Sequence, residues 1–170
     1  MKTSISTKDI VVVGMMSALL ITLQVALSSL PNIELVSILI ILSTIIFGWK
    51  TLYIIYIFAL VQGFIYGFTT WWICYLYVWT ILMLITMVFK HKQSPLFWAV
   101  LSGSFGLAFG SLCSIPFLFI DGPIATLASI VSGIPFDVAH CIGNYFIALV
   151  LFKPLYQLFN WIDKSILKET

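Results

Sequence analysis

Charged side chains are so sparse in this chain that they leave apolar runs about twenty residues long, more apolar surface than a water-soluble fold can hide. Of 170 residues, 62% are hydrophobic and 8% are charged, a third of the roughly 25% charge carried by soluble domains. Mean hydropathy is +1.15. Such a composition excludes a water-soluble enzyme, a nucleic-acid binder and a disordered tail. Arginine is absent and the net charge is only +2, which argues against a surface that grips phosphates. The chain reads as an all-α integral membrane protein, one domain over residues 1–170 embedded in the lipid bilayer.

A helix needs about 20 apolar residues to cross a hydrocarbon core roughly 30 Å thick. The sparse charges and the Pro/Gly punctuation divide the chain into six transmembrane helices, at about 9–30, 33–48, 51–68, 71–89, 96–120 and 135–152. Ser6 and Asp9 stand at capping-box spacing at the start of the first. Gly133-Ile134-Pro135 is expected to cut the last long stretch, because proline suits a first helical turn. Residues 124–132 then form an outer or re-entrant segment. After Pro154, Tyr156, Phe159 and Trp161 among lysines suit an interfacial tail helix over 154–168.

The lysines orient these spans. With both termini cytoplasmic, Lys2, Lys8, Lys50, Lys90, Lys92, Lys153, Lys164 and Lys168 all fall inside, while Glu34 and Asp121 fall outside, as the positive-inside rule requires. The first span is longer than a signal-peptide apolar region and lacks a clear cleavage site. Cys74, Cys113 and Cys141 lie far apart in apolar stretches and read as small core hydrophobes. No internal repeat is visible, which weakens an inverted-repeat carrier.

Three groups of residues could carry function. Gly14, Ala18, Thr22 and Ala26 recur every four positions, so one face of the first helix lets another helix approach closely, either within the bundle or from a partner. On the sixth span, Asp137, His140 and Asn144 share one face, with Ala148 continuing it. Ionisable groups inside a span are costly and mark a functional site by default; the structural alternative is a contact that caps or packs this helix. On the fourth span, Trp72, Tyr75 and Trp79 share a face able to stack a flat ring, while Tyr77 fits an interfacial aromatic belt. Gln62 and Tyr66 add polar groups at similar depth. Glu34 is either a pocket carboxylate or a solvated helix-start charge, the second being favoured. Gln24 has no assigned role. No catalytic constellation, metal set or ATP-binding motif is present, so the chain is expected not to be an enzyme and not to hold a metal or cofactor.

The start Lys8-Asp9-Ile10…Gly14-Met15-Met16-Ser17-Ala18, together with Phe47-Gly48-Trp49-Lys50 closing the second span, resembles the substrate-binding S components of energy-coupling factor (ECF) vitamin transporters. Gly14 stands where that family more often has alanine. The resemblance implies a bacterial multi-pass protein of the cell membrane that captures a vitamin or cofactor precursor near the outer face. It also implies partners: a membrane T subunit and two ATPase subunits, with Gly14, Ala18, Thr22 and Ala26 as the docking face. Trp72, Tyr75, Trp79, Asp137, His140, Asn144, Gln62 and Glu34 are then the ligand-binding candidates. With no lysine or arginine on the outer side, a neutral or cationic ring is favoured over an anion. The alternative is a stand-alone secondary carrier coupled to protons through Asp137 and His140. A small intramembrane enzyme or scaffold fits the residues least.

Overall fold

A computed structural model describes residues 5–30 and 32–167, with the side chains of Ile166 and Leu167 excepted. Among these residues every regular element is helical. Helix α1 is Thr7–Ala26, α2 Val36–Phe47, α3 Thr51–Tyr66, α4 Thr70–Tyr75, α5 Val78–Phe89, α6 Pro95–Cys113, α7 Ile115–Ile120 and α8 Gly122–Ile162. Five stretches are long and apolar enough to cross a membrane: Thr7–Ala26, Val36–Tyr66, Thr70–Phe89, Pro95–Ile120 and Gly122–Ser165. Large apolar side chains such as Phe64, Val88, Phe119, Ile124 and Val150 cover the outside, as expected of a protein embedded in lipid.

The capping box forms as the spacing predicts. Ser6 Oγ accepts from the Asp9 N–H at 3.2 Å, and the Ser6 N–H donates to Asp9 Oδ2 at 3.0 Å. Asp9 also pairs with the Lys50 ammonium, so the start of α1 meets the turn between α2 and α3. That turn is a single 3-10 turn, Gly48–Lys50, entered through Gly48 at φ 60°, a left-handed conformation that a Cβ would strain. Glu34, ahead of α2, lies beside His140, whereas Lys50 lies beside Asp9. Tyr66, at the end of α3, packs against Trp71 of α4, and Tyr75 of α4 lines the same cavity as Glu34, so α3 returns toward the end from which α2 starts.

Two expected spans are broken. Residues 71–89 divide into α4 and α5 at Leu76–Tyr77, where the Tyr77 hydroxyl donates to the Leu112 carbonyl at 2.6 Å. Tyr77 is thus a tie between helices as well as an interfacial aromatic. Residues 96–120 divide at Ser114, with Pro116 in the first turn of α7.

The sixth span needs the opposite correction. Gly133 and Pro135 do not cut it, and Pro154 does not start a separate tail: α8 is continuous from Gly122 to Ile162, about 60 Å at 1.5 Å per residue. Exposed Ile124, Leu127, Val131, Ile134, Val138 and Ile142 make one apolar ridge along it. Residues 124–132 belong to this helix. Proline is tolerated within membrane helices when neighbours support the backbone. Here α7 packs along the first turns of α8, and the Ser114 and Ser129 hydroxyls are 3.0 Å apart. At the other end Phe159 is buried against Phe47, ring centroids 6.1 Å apart. Lys168 and Lys2 lie outside the described residues.

The closest helix pair is α6 with α8. A Cβ on Gly106 would sit 2.9 Å from the His140 carbonyl, and one on Gly103 would sit 3.1 Å from that of Cys141. Glycines at these positions let two backbones touch, which supplies in lipid the packing that the hydrophobic effect cannot.

The cysteine expectation is also corrected. Cys74 at the end of α4 and Cys113 at the end of α6 form a disulfide, while Cys141 is free. Their separation of 39 positions hid the pair, since helix packing alone brings them together.

Candidate functional site

Of the described lysines, Lys8, Lys50, Lys90, Lys92 and Lys164 gather at the end of the bundle where α1 starts and α8 finishes, and Lys153 is exposed in the last third of α8. At the opposite end lies a cavity of about 170 Å³. Its floor is Glu34 and His140, its wall is Tyr75, Trp79 and Phe109, and the chain between α1 and α2 covers it through Leu27, Leu30 and Ile33. Gln24, Ser28 and Asn32 complete the rim. Asn32 adopts φ 60°, a left-handed conformation that asparagine accepts more readily than most residues, and so helps turn this cover back toward α2.

Glu34 does two things at once. One oxygen accepts from the Ser37 N–H at 2.8 Å and so caps α2; the other lies 3.3 Å from His140 Nε2. Its side chain is 11% exposed, which corrects the favoured reading of a solvated charge. The helix-start role is real, but the same carboxylate forms the cavity floor. Burying a carboxylate demands a partner, and His140 supplies it.

The aromatic wall is a chain of edge-to-face and tilted contacts. Tyr75 and Trp79 have centroids 5.5 Å apart, Trp79 and Phe109 5.4 Å, and Phe109 and His140 5.0 Å. Trp79 is 2% exposed, and its indole N–H has no hydrogen-bond partner among the described residues. An unpaired buried donor costs about 1–3 kcal/mol, and the nitrogen is covered by the surrounding packing rather than open to the cavity.

The remaining candidates separate from the cavity. Trp72 turns toward α3, where its indole donates to the Ala59 carbonyl at 2.7 Å. The short connection from Gly67 to Thr69 folds the first turn of α4 back onto α3, so the shared face of Trp72, Tyr75 and Trp79 divides between two neighbours. Asp137 is buried in mid-helix, neither in a first turn nor facing the cavity, and accepts from the Gly110 N–H at 2.9 Å. It ties α8 to α6, the structural alternative for this residue. Asn144 donates to the Ser37 hydroxyl at 3.1 Å and joins α8 to α2. Gln62 is buried in α3 outside the cavity lining, its amide nitrogen without a partner among the described residues.

Of the eight ligand-binding candidates, Glu34, Tyr75, Trp79 and His140 come together, and Trp72, Gln62, Asp137 and Asn144 do not. Phe109 and the rim residue Gln24 join them unforeseen. Phe109 lies four residues from Phe105 on α6, in a helix whose glycine spacing was the available signal that this face meets α8.

Gly14, Ala18, Thr22 and Ala26 are all exposed, and a Cβ on Gly14 would meet nothing within 4 Å. The small-residue face is therefore not an internal seam among the described residues.

No family model matches the chain, nor does any curated protein or solved structure.

Proposed function

We propose that this protein is a high-affinity substrate-capture subunit of an ATP-driven importer of the ECF type, taking up a vitamin or cofactor precursor. The reading is carried by one arrangement: a partly open polar–aromatic cavity at the end opposite the lysines, on a body whose first helix presents an unpartnered row of small residues. Capture and docking thus have separate surfaces. The chain crosses the bilayer six times, α2 and α3 being separate crossings joined at Gly48–Lys50. The lysine-rich end with both termini faces the cytoplasm, and the cavity faces outward in the membrane of a bacterial cell.

In this reading the partners are a membrane T subunit and two ATPases, which supply the energy; the chain performs no chemistry of its own. Further support comes from Asp9 and Lys50. They belong to the two separate segments that carry the family resemblance, and they pair with each other beside Gly14, lining one groove of about 250 Å³.

The test is purification of the tagged chain from its native host in mild detergent, with mass spectrometry of what accompanies it. A T subunit and two ATPases should be recovered, and lost with Ala18→Trp. Recovery of the chain alone, from a host that makes those subunits, would favour a proton-coupled carrier. In that carrier the partner of His140 would be Glu34, 3.3 Å away, rather than Asp137, which accepts from the Gly110 N–H.

A further inference from the structure

We infer that the outward-facing groove between α5 and α6 holds one acyl chain of an anionic glycerophospholipid, whose headgroup phosphate sits at the Lys90–Lys92 turn. The inference needs only that the chain lies in a bilayer with its lysine-rich end at one surface, so it stands apart from the importer reading.

The groove lies between two helices that are consecutive in the chain and pinned together at two places. Phe89 and Phe97 touch beside the connecting turn, ring centroids 5.3 Å apart. Toward the other end the Tyr77 hydroxyl, just ahead of α5, donates to the Leu112 carbonyl at 2.6 Å. Between the pins lies a hollow of about 550 Å³. Ser104 and Ala108, both exposed, are the short side chains of α6 that leave it. Its inner floor is Phe105, which is buried and packed on Trp79 and Phe109 at 5.9 and 6.0 Å, so the floor is not free to rise and fill the space.

Hydrocarbon is the occupant that fits. Apart from Ser104 every lining residue is apolar, and water gains little from such a surface. From Phe97 to Leu112 the groove follows α6 for about 22 Å at 1.5 Å per residue. One leaflet contributes about half of a hydrocarbon core roughly 30 Å thick, so a chain anchored at the turn lies in the groove over its whole length. A partner helix about 10–12 Å across would be held off by the pins, whereas a flexible chain bends past Phe89 and Phe97.

Charge selects the headgroup. The turn beyond the Phe89–Phe97 contact reads Lys90-His91-Lys92-Gln93-Ser94, all exposed, with two lysines and no acidic residue. The Lys92 carbonyl accepts from the Trp98 indole at 2.9 Å, which fixes the turn against α6, and the start of α6 adds the positive end of its dipole. Lys90 and His91 also line a polar hollow with Asp163; Lys92 does not, and is the cation with the larger share. Lysines at a membrane surface attract anionic lipids. A zwitterionic headgroup brings its own ammonium, which the same lysines repel.

Photocrosslinking on the full chain in lipid nanodiscs tests this, with phosphatidylglycerol or phosphatidylcholine carrying the same diazirine-bearing acyl chains. Labelled peptides are mapped by mass spectrometry, with the exposed α8 ridge from Ile124 to Ile142 as the reference face. Labelling of residues 81–89 and 97–112 relative to that ridge should be higher for phosphatidylglycerol by about fivefold, the weight of one lysine at an anionic surface. Lys90→Gln/Lys92→Gln should erase the difference without lowering the unfolding midpoint. Ser104→Leu/Ala108→Leu fills the groove from exposed positions, so it should reduce labelling there to the level of the ridge for both lipids, again without loss of stability. Equal labelling of the groove by the two lipids in the wild type overturns the inference, and so does labelling that persists in the filled variant. A groove that no lipid labels, because a second copy of the chain crosslinks there, overturns it as well.

Discussion

His140 Nε2 and Glu34 Oε1 lie 3.3 Å apart although 106 positions separate the residues in the chain. The contact closes the cavity floor and joins α8 to the start of α2. Removing one member of a buried pair costs about 3–5 kcal/mol, because the other is left without its counterpart. Glu34→Ala and His140→Ala should therefore each lower the unfolding midpoint in detergent. The double variant should fall well short of their sum; strictly additive losses would mean that the two residues do not interact.

Asp137 behaves differently. Asp137→Asn retains an oxygen for the Gly110 N–H and should leave both unfolding and ligand affinity close to wild type. Asp137→Leu strands that buried donor and should destabilise by about 1–3 kcal/mol. A tenfold loss of ligand affinity in Asp137→Asn, with unchanged unfolding, would put Asp137 in contact with the ligand.

Glycine substitutions separate the two helix faces. Gly106→Ala places a Cβ 2.9 Å from the His140 carbonyl, and Gly110→Ala places one 2.6 Å from the Asp137 carboxylate. Each should destabilise by about 1–3 kcal/mol, the usual cost of overpacking. Gly14→Ala meets nothing within 4 Å and should not destabilise. Thermal unfolding of the three variants side by side reads this directly, and equal midpoints would contradict the α6–α8 packing.

Ala18 is exposed on α1, so Ala18→Trp should leave unfolding and ligand affinity unchanged while abolishing recovery of partner subunits. Parallel loss of stability, affinity and assembly would instead make this face part of the folded core.

The disulfide makes a chemical prediction. Maleimide labelling of the denatured, unreduced chain should modify Cys141 alone, and all three cysteines after reduction. Cys74→Ser/Cys113→Ser should lower stability by about 2–4 kcal/mol without removing the cavity floor, since neither cysteine lines it. Labelling of all three cysteines before reduction would show that the bond is absent.

Much of the local structure was legible in the residues themselves. Ser6 and Asp9 announced the capping box, the lysines marked one end of the bundle, and the spacing of Tyr75 and Trp79 marked an aromatic face. His140 stood out because an ionisable side chain in an apolar helix needs a partner. Less legible was anything that required two distant segments. Asp137 looked like His140's companion because offsets of three share a helix face, yet it bonds to α6. Pro135 looked like a helix boundary because its missing N–H weakens a helix in isolation, yet α8 is held on either side of it, Ser129 by Ser114 and Asp137 by Gly110 of α6.

Sequence by itself determined that this chain is a helical membrane-type protein, where most of its apolar stretches begin and end, and which side chains are too polar to sit there without a reason. Only the tertiary structure decided which of those polar groups share a cavity, that Cys74 meets Cys113, and that α8 runs unbroken. The physical reason is that periodicity specifies the faces of one helix but not the neighbour each face meets. Here that choice is made where Gly103 and Gly106 let the backbones of α6 and α8 touch, and where a buried carboxylate and imidazole each require the other.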